Sequence, residues 1–167
     1  MSIEPIAILH MGVFLAIVSG LYGLLIALFW SPFLLTEHFR QLFGSLSPFD
    51  WHINYVLWIP LPAVCWGFLC GSIVSLSLDV RPPTDASPLY VSGLDGIIVA
   101  TAISLLSWPA LLLYMLPASG FDWYSNKDTS TTVTLVIGGT VWYLPWLIIP
   151  TYLIVLFAGF GDVMTGP

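Results

Sequence analysis

Apolar residues run through this chain in four long blocks, separated by short clusters rich in Pro, Asp, Ser and Gly. The last block sets the scale. From Val133 to Gly161 there are 29 residues without one Asp, Glu, Lys, Arg or His. At 1.5 Å per helical residue, such a run crosses a hydrocarbon layer of roughly 30 Å with some tilt. Where lipid is the solvent, backbone N–H and C=O groups must pair within the segment, so the run is helical. The same pattern places spans at residues 6–30, 53–78, 93–116 and 133–160. The predicted fold is an all-α membrane protein: four transmembrane helices in an up-down bundle, one polytopic domain over residues 1–167.

Residues 33–47 carry a different pattern. Leu35, Phe39, Leu42, Phe43 and Leu46 recur at helical spacing, while Thr36, Glu37, Arg40, Gln41 and Ser45 fall elsewhere around the axis. This predicts a short amphipathic helix lying in the membrane interface. Punctuation comes from Pro and Gly. Pro5 suits a first helical position, Pro60 and Pro62 predict a kink early in the second span, and Gly159-Phe160-Gly161-Asp162 predicts the end of the fourth.

Helices in lipid gain nothing from burying Leu against Leu, so they pack where small residues let backbones approach. The second span carries Ala63, Gly67, Gly71 and Ser75 at i, i+4 steps. The third carries Gly96, Ala100 and Ser104, and the first carries Gly12, Ala16 and Gly20 beside Ser19, Gly23 and Ala27. These are the predicted packing faces. A weak internal echo relates 19–27 to 92–100, and Phe49-Asp50-Trp51 to Phe121-Asp122-Trp123.

Composition agrees with the pattern. Only 7% of the 167 residues are charged and 58% are hydrophobic, with mean hydropathy +0.96; a water-soluble domain carries about 25% charged residues. Nine acids face three bases (Arg40, Arg81, Lys127), a net charge of −6. So few bases argue against a nucleic-acid partner and against docking on anionic headgroups. Acidic loops with almost no Lys also suit a high-salt organism. With two of the bases on the 31–52 and 118–132 loops, the charge bias leans those loops towards the cytoplasm. Cys65 and Cys70 would stand about 140° apart around one helix, too divergent to bridge.

Candidate chemistry is sparse. Every charged residue lies in a loop or near a span end, Asp95 deepest, which disfavours a coupled ion transporter. His10 and His52 fall on opposite membrane faces, so no pair of them sandwiches a haem. No phosphate loop, GxSxG, HExxH or CxxC is present. The chain is therefore expected not to be an enzyme, and neither a metal nor a resident cofactor is predicted. Trp30, Trp51 and Trp123 sit at span ends, as interfacial Trp do, whereas Trp66, Trp108 and Trp146 fall deeper. Deep indoles pack at kinks or, with His52, line a pocket for a lipid, quinone or pigment. The expected role is a non-catalytic subunit of a larger membrane complex, with lipid and other membrane subunits as partners. Alternatives are a binding protein for an apolar cofactor, or a neutral-solute channel lined by Ser72, Ser75, Ser104, Ser107, Thr140 and Thr151.

Overall fold

Four stretches of helix are long and apolar enough to cross a membrane: Ile6–Leu35, Trp51–Leu78, Tyr90–Ala118 and Thr129–Phe157. They belong to a computed structural model that describes residues 5–46, 49–80, 88–120 and 129–165. Helix α1 is Pro5–Trp30, followed by a 3₁₀ turn at Ser31–Leu35 and then α2, Glu37–Ser45. Next come α3 (Trp51–Trp58) and α4 (Leu61–Val80), which together make the second span. The third is α5 (Pro88–Ala110), continuing as a π-helical turn, Leu111–Met115, into the short α6, Leu116–Ala118. Helix α7, Thr129–Thr165, is the fourth. No strand occurs among the described residues.

The proline-marked irregularity in the second span is a kink. Ile59 N–H still donates to the Tyr55 carbonyl (2.9 Å) and Val64 N–H to that of Pro60 (3.0 Å), so helix continues on both sides of Ile59–Pro60. Pro109 lies inside α5 and Pro145 and Pro150 inside α7. Each removes a donor and crowds the carbonyl four residues back; after Pro109 the helix widens into the π turn within two residues. Two expected boundaries move. Helix α5 starts at Pro88 rather than at Gly93, because Pro is favoured in a first turn and Leu89, Tyr90 and Val91 extend the apolar run. Helix α7 passes through Gly159 and Gly161 to Thr165. A glycine costs a helix about 1 kcal/mol relative to Ala, too little to end one embedded in so long an apolar stretch.

Between 31 and 46 the chain is more compact than one continuous helix. Thr36 is extended, and its N–H and hydroxyl both bond to the Phe33 carbonyl. This separates the 3₁₀ turn from α2. Phe39, Leu42 and Phe43 on the apolar face of α2 are buried against the protein itself. Leu35, on the same predicted stripe, is exposed.

Helix α1 packs along α4, α4 against α5, and α5 against α7. The α1–α4 contact is nearly without side chains. A Cβ on Gly67 would stand 2.5 Å from both the Leu15 carbonyl oxygen and Ser19 Oγ, and one on Gly71 would stand 2.5 Å from the Met11 carbonyl oxygen. From α1, Gly12 meets Phe68 and Ser72, Gly20 meets Val64, and Gly23 meets Pro60 and Ala63. Numbers rise along α1 as they fall along α4, so the two helices run in opposite directions. Ala63 is wholly buried in this seam, while Ser75 is half-buried. On the other side of α4, Gly96 of α5 fits against Cys70 and Val74, and Ala100 is fully buried. Both cysteines are free thiols, Cys65 exposed and Cys70 buried. Trp123, Arg81, Lys127 and the second Phe-Asp-Trp triplet lie outside the described residues.

These contacts separate glycines that need to be glycine from those that do not. Gly67→Leu and Gly71→Leu would each drive a side chain into the α1 backbone, and should abolish a monodisperse folded peak in detergent size-exclusion chromatography. Gly138 of α7 has nothing within 4 Å of its Cβ position. Gly138→Ala should raise thermal stability slightly, by about 0.5–1 kcal/mol from helix propensity alone.

Candidate functional site

An apolar concavity lies at one end of the bundle, beside α2, and its volume is about 390 Å³. Five parts of the chain meet there. Trp30 ends α1; Phe39, Leu42 and Phe43 come from α2; Trp58, Ile59 and Leu61 come from the α3–α4 kink. Trp108, Leu111 and Leu112 follow from α5 and its π turn, and Val136, Thr140 and Leu144 from α7. Its wall is almost wholly apolar and partly open, with Trp58 and Leu61 exposed.

Trp30 organises this end of the molecule. Its indole N–H donates to the Gly139 carbonyl of α7 at 3.1 Å. A Cβ on Gly139 would lie 3.0 Å from the Trp30 ring, so glycine lets the indole rest against helix backbone. Around it stand Phe33, stacked at 4.9 Å, Phe39, edge-on at 4.7 Å, and Tyr55 and Phe43 at 6.2 and 6.3 Å. Aromatic pairs of this kind add about 0.5–1.5 kcal/mol each beyond area burial. They bind α2 to α1 and α3. Trp30 is thus buried beneath α2 rather than turned outward.

Polar groups reinforce the same joint. Asn54 of α3 is fully buried. Its amide donates to the carbonyls of Phe43 (2.9 Å), Phe49 (2.7 Å) and Leu46. The Phe43 carbonyl belongs to the last turn of α2, where no intrahelical donor is left. Tyr55 donates its hydroxyl to the Ala27 carbonyl of α1. From α7, Tyr143 donates to the Ile59 carbonyl at the kink, at 2.8 Å. Each of these is a side chain donating to a backbone carbonyl of another element. Neither Asn54 nor Tyr143 stands out in the sequence, because a single Asn or Tyr in an apolar run has no motif around it.

The deep tryptophans do not gather. Trp66 is buried between α4 and α5, its N–H on the Thr101 hydroxyl at 3.2 Å. Trp146 stacks on Phe29 at 4.1 Å, where α7 touches α1. Of the three, Trp108 alone lines the cavity. His52 is exposed, its ring edge-on to Trp51. Among the described residues no three His, Cys, Asp or Glu side chains group as metal ligands. Asp95 lies two turns inside α5, within 3.5 Å of the Ser77 hydroxyl.

The six hydroxyls named for a channel are likewise dispersed. Ser104 and Thr140 line the cavity, Ser72 faces Gly12 of α1, and Ser107 is exposed. Thr140 and Thr151 return their hydroxyls to the Val136 and Leu147 carbonyls one turn back, at 2.8 Å each. The packing set Ala63, Gly67, Gly71, Gly96 and Ala100 lies in the α1–α4 and α4–α5 seams, whereas Ser104 reaches the cavity.

By fold, this is an all-helical protein with four helices of membrane-spanning length and apolarity. It belongs to the family described as a domain of unknown function, DUF8162, which matches residues 10–162. No curated protein and no solved structure matches the chain.

Removing the buried amide should unfasten α2. Asn54→Ala leaves the Phe43, Leu46 and Phe49 carbonyls without the two N–H donors they share, a loss of about 1–3 kcal/mol. It should appear as a lower thermal midpoint in detergent and faster proteolysis between α2 and α3. Tyr143→Phe should cost about 1 kcal/mol, the value of one hydrogen bond, without changing proteolysis there.

Proposed function

We propose that this chain is an integral membrane protein whose four spans form an up-down bundle, with α2 along the membrane interface. Its work is structural: a non-catalytic subunit of a larger membrane assembly. The observation that carries this reading is the outer surface of α7. Of the four spans it has the smallest buried share, and Ile137, Val141, Trp142, Ile149 and Phe157 all point outward. Thr129–Thr165 is 37 residues, about 55 Å of helix, against roughly 40–45 Å for a bilayer with its headgroups. One end of α7 therefore extends past the membrane surface, where a partner has something to hold. Trp30, Asn54, Tyr55 and Tyr143 spend their donors on backbone carbonyls, which suits packing.

A second reading, a binding protein for an apolar ligand, is favoured by the cavity beside α2. Purification in mild detergent followed by native mass spectrometry tests the first reading. The expected result is co-purifying membrane polypeptides that are lost when Trp142 and Ile149 are changed to Ser. A stable monomer with no companion, extracted from its native membrane, would overturn it.

A further inference from the structure

We propose that the cavity beside α2 holds one hydrocarbon chain of a bilayer lipid, entering sideways from the half of the membrane nearest α2. This occupant presupposes the membrane-spanning reading proposed above.

Its concavity cannot be filled by water, since a buried water needs two to four polar partners and this wall is almost wholly apolar. Three of the polar groups on the wall are already committed: Trp30 to Gly139, Tyr143 to Ile59 and Thr140 to Val136. Ser104 is 2% exposed. Beyond these, only the indole N–H groups of Trp58 and Trp108 remain as donors on the lining, so the wall is chiefly contact surface, which suits a saturated chain. Left empty, the lining would forfeit its dispersion contacts on one side.

Size agrees. A methylene is close to a water in bulk, at about 30 Å³, so 390 Å³ accepts on the order of a dozen methylenes. Access agrees as well. Trp58 and Leu61 are exposed lining residues at the kink, which marks a mouth on the side of the bundle facing lipid tails. Two helix irregularities border the same space, the kink at Ile59–Pro60 and the π turn at Leu111–Met115. Both interrupt regular helical pairing, and π turns often mark functional sites. Here Ile59 and Leu61 at the kink and Leu111 and Leu112 of the π turn form part of the wall.

The test is photolabelling of the full chain in vesicles of phosphatidylcholine carrying a diazirine near the end of one acyl chain, with adducts mapped by peptide mass spectrometry. Adducts are expected on wall residues Leu112 and Leu147, and also on the outward residues Leu106 and Ile154. Leu112→Trp should lower the adduct at Leu147 several-fold and leave Leu106 and Ile154 unchanged. Should that variant misfold, Thr140→Met narrows the same space more gently and should act in the same direction. Adducts on Leu106 and Ile154 without any on the wall would overturn the proposal while leaving the membrane reading intact. A wall signal indifferent to both substitutions would overturn it too. So would a stoichiometric quinone or pigment in the purified protein, or a partner polypeptide cross-linked at Leu112. If Leu106 and Ile154 also stay unlabelled, the membrane reading itself fails, and this site with it.

Discussion

Helix backbones in contact are the constraint on which this molecule depends. Along α4, Gly67 and Gly71 stand where any side chain would collide with carbonyl oxygens of α1. In lipid, large apolar side chains are indifferent to whether they touch protein or solvent, so close approach has to supply the attraction. Dispersion falls away within an ångström of contact, and only residues without bulk bring two backbones that near. Helix α4 does this twice, with Gly67 and Gly71 towards α1 and with Cys70 receiving Gly96 of α5. It is therefore the central post against which two other spans are set.

At the far end of the bundle the solution is the opposite. Around Trp30 the spans are separated by large rings, and the gaps are bridged by Asn54, Tyr55 and Tyr143 reaching backbone acceptors. The carbonyls they reach lie at a helix end or a kink, or already serve one helical bond. Glycine contacts line the α1–α4 seam as far as Gly23 against Pro60, and large rings surround Trp30 beyond it. The cavity lies at that aromatic end, beside α2.

The polar groups of the bundle do not converge: Asn54, Tyr55 and Tyr143 each reach a different set of carbonyls, while Ser72 Oγ and Thr132 Oγ1 are buried without a hydrogen-bond partner among the described residues. The deep tryptophans illustrate the point. Trp66 bonds Thr101 across α4–α5, Trp146 lies flat on Phe29, and Trp108 only borders the cavity. Similar in sequence depth, they serve three different contacts.

Four membrane-length helices, the helical α2 segment and the kink at Pro60 were legible in the sequence, because each follows from local rules: apolar run length, helical periodicity and a missing N–H. The small-residue positions were legible too, since bulk is a property of the residue itself. Their partners were not. That Gly67 meets Leu15 and Gly96 meets Cys70 depends on how helices are set against one another, which no spacing within one helix encodes. The same holds for Trp30 beneath α2, for Asn54 closing the end of that helix, and for the cavity. Composition and periodicity thus determined the rods and their smooth faces. Only the tertiary arrangement decided which faces meet and where a gap remains, because a void is a property of several helices at once.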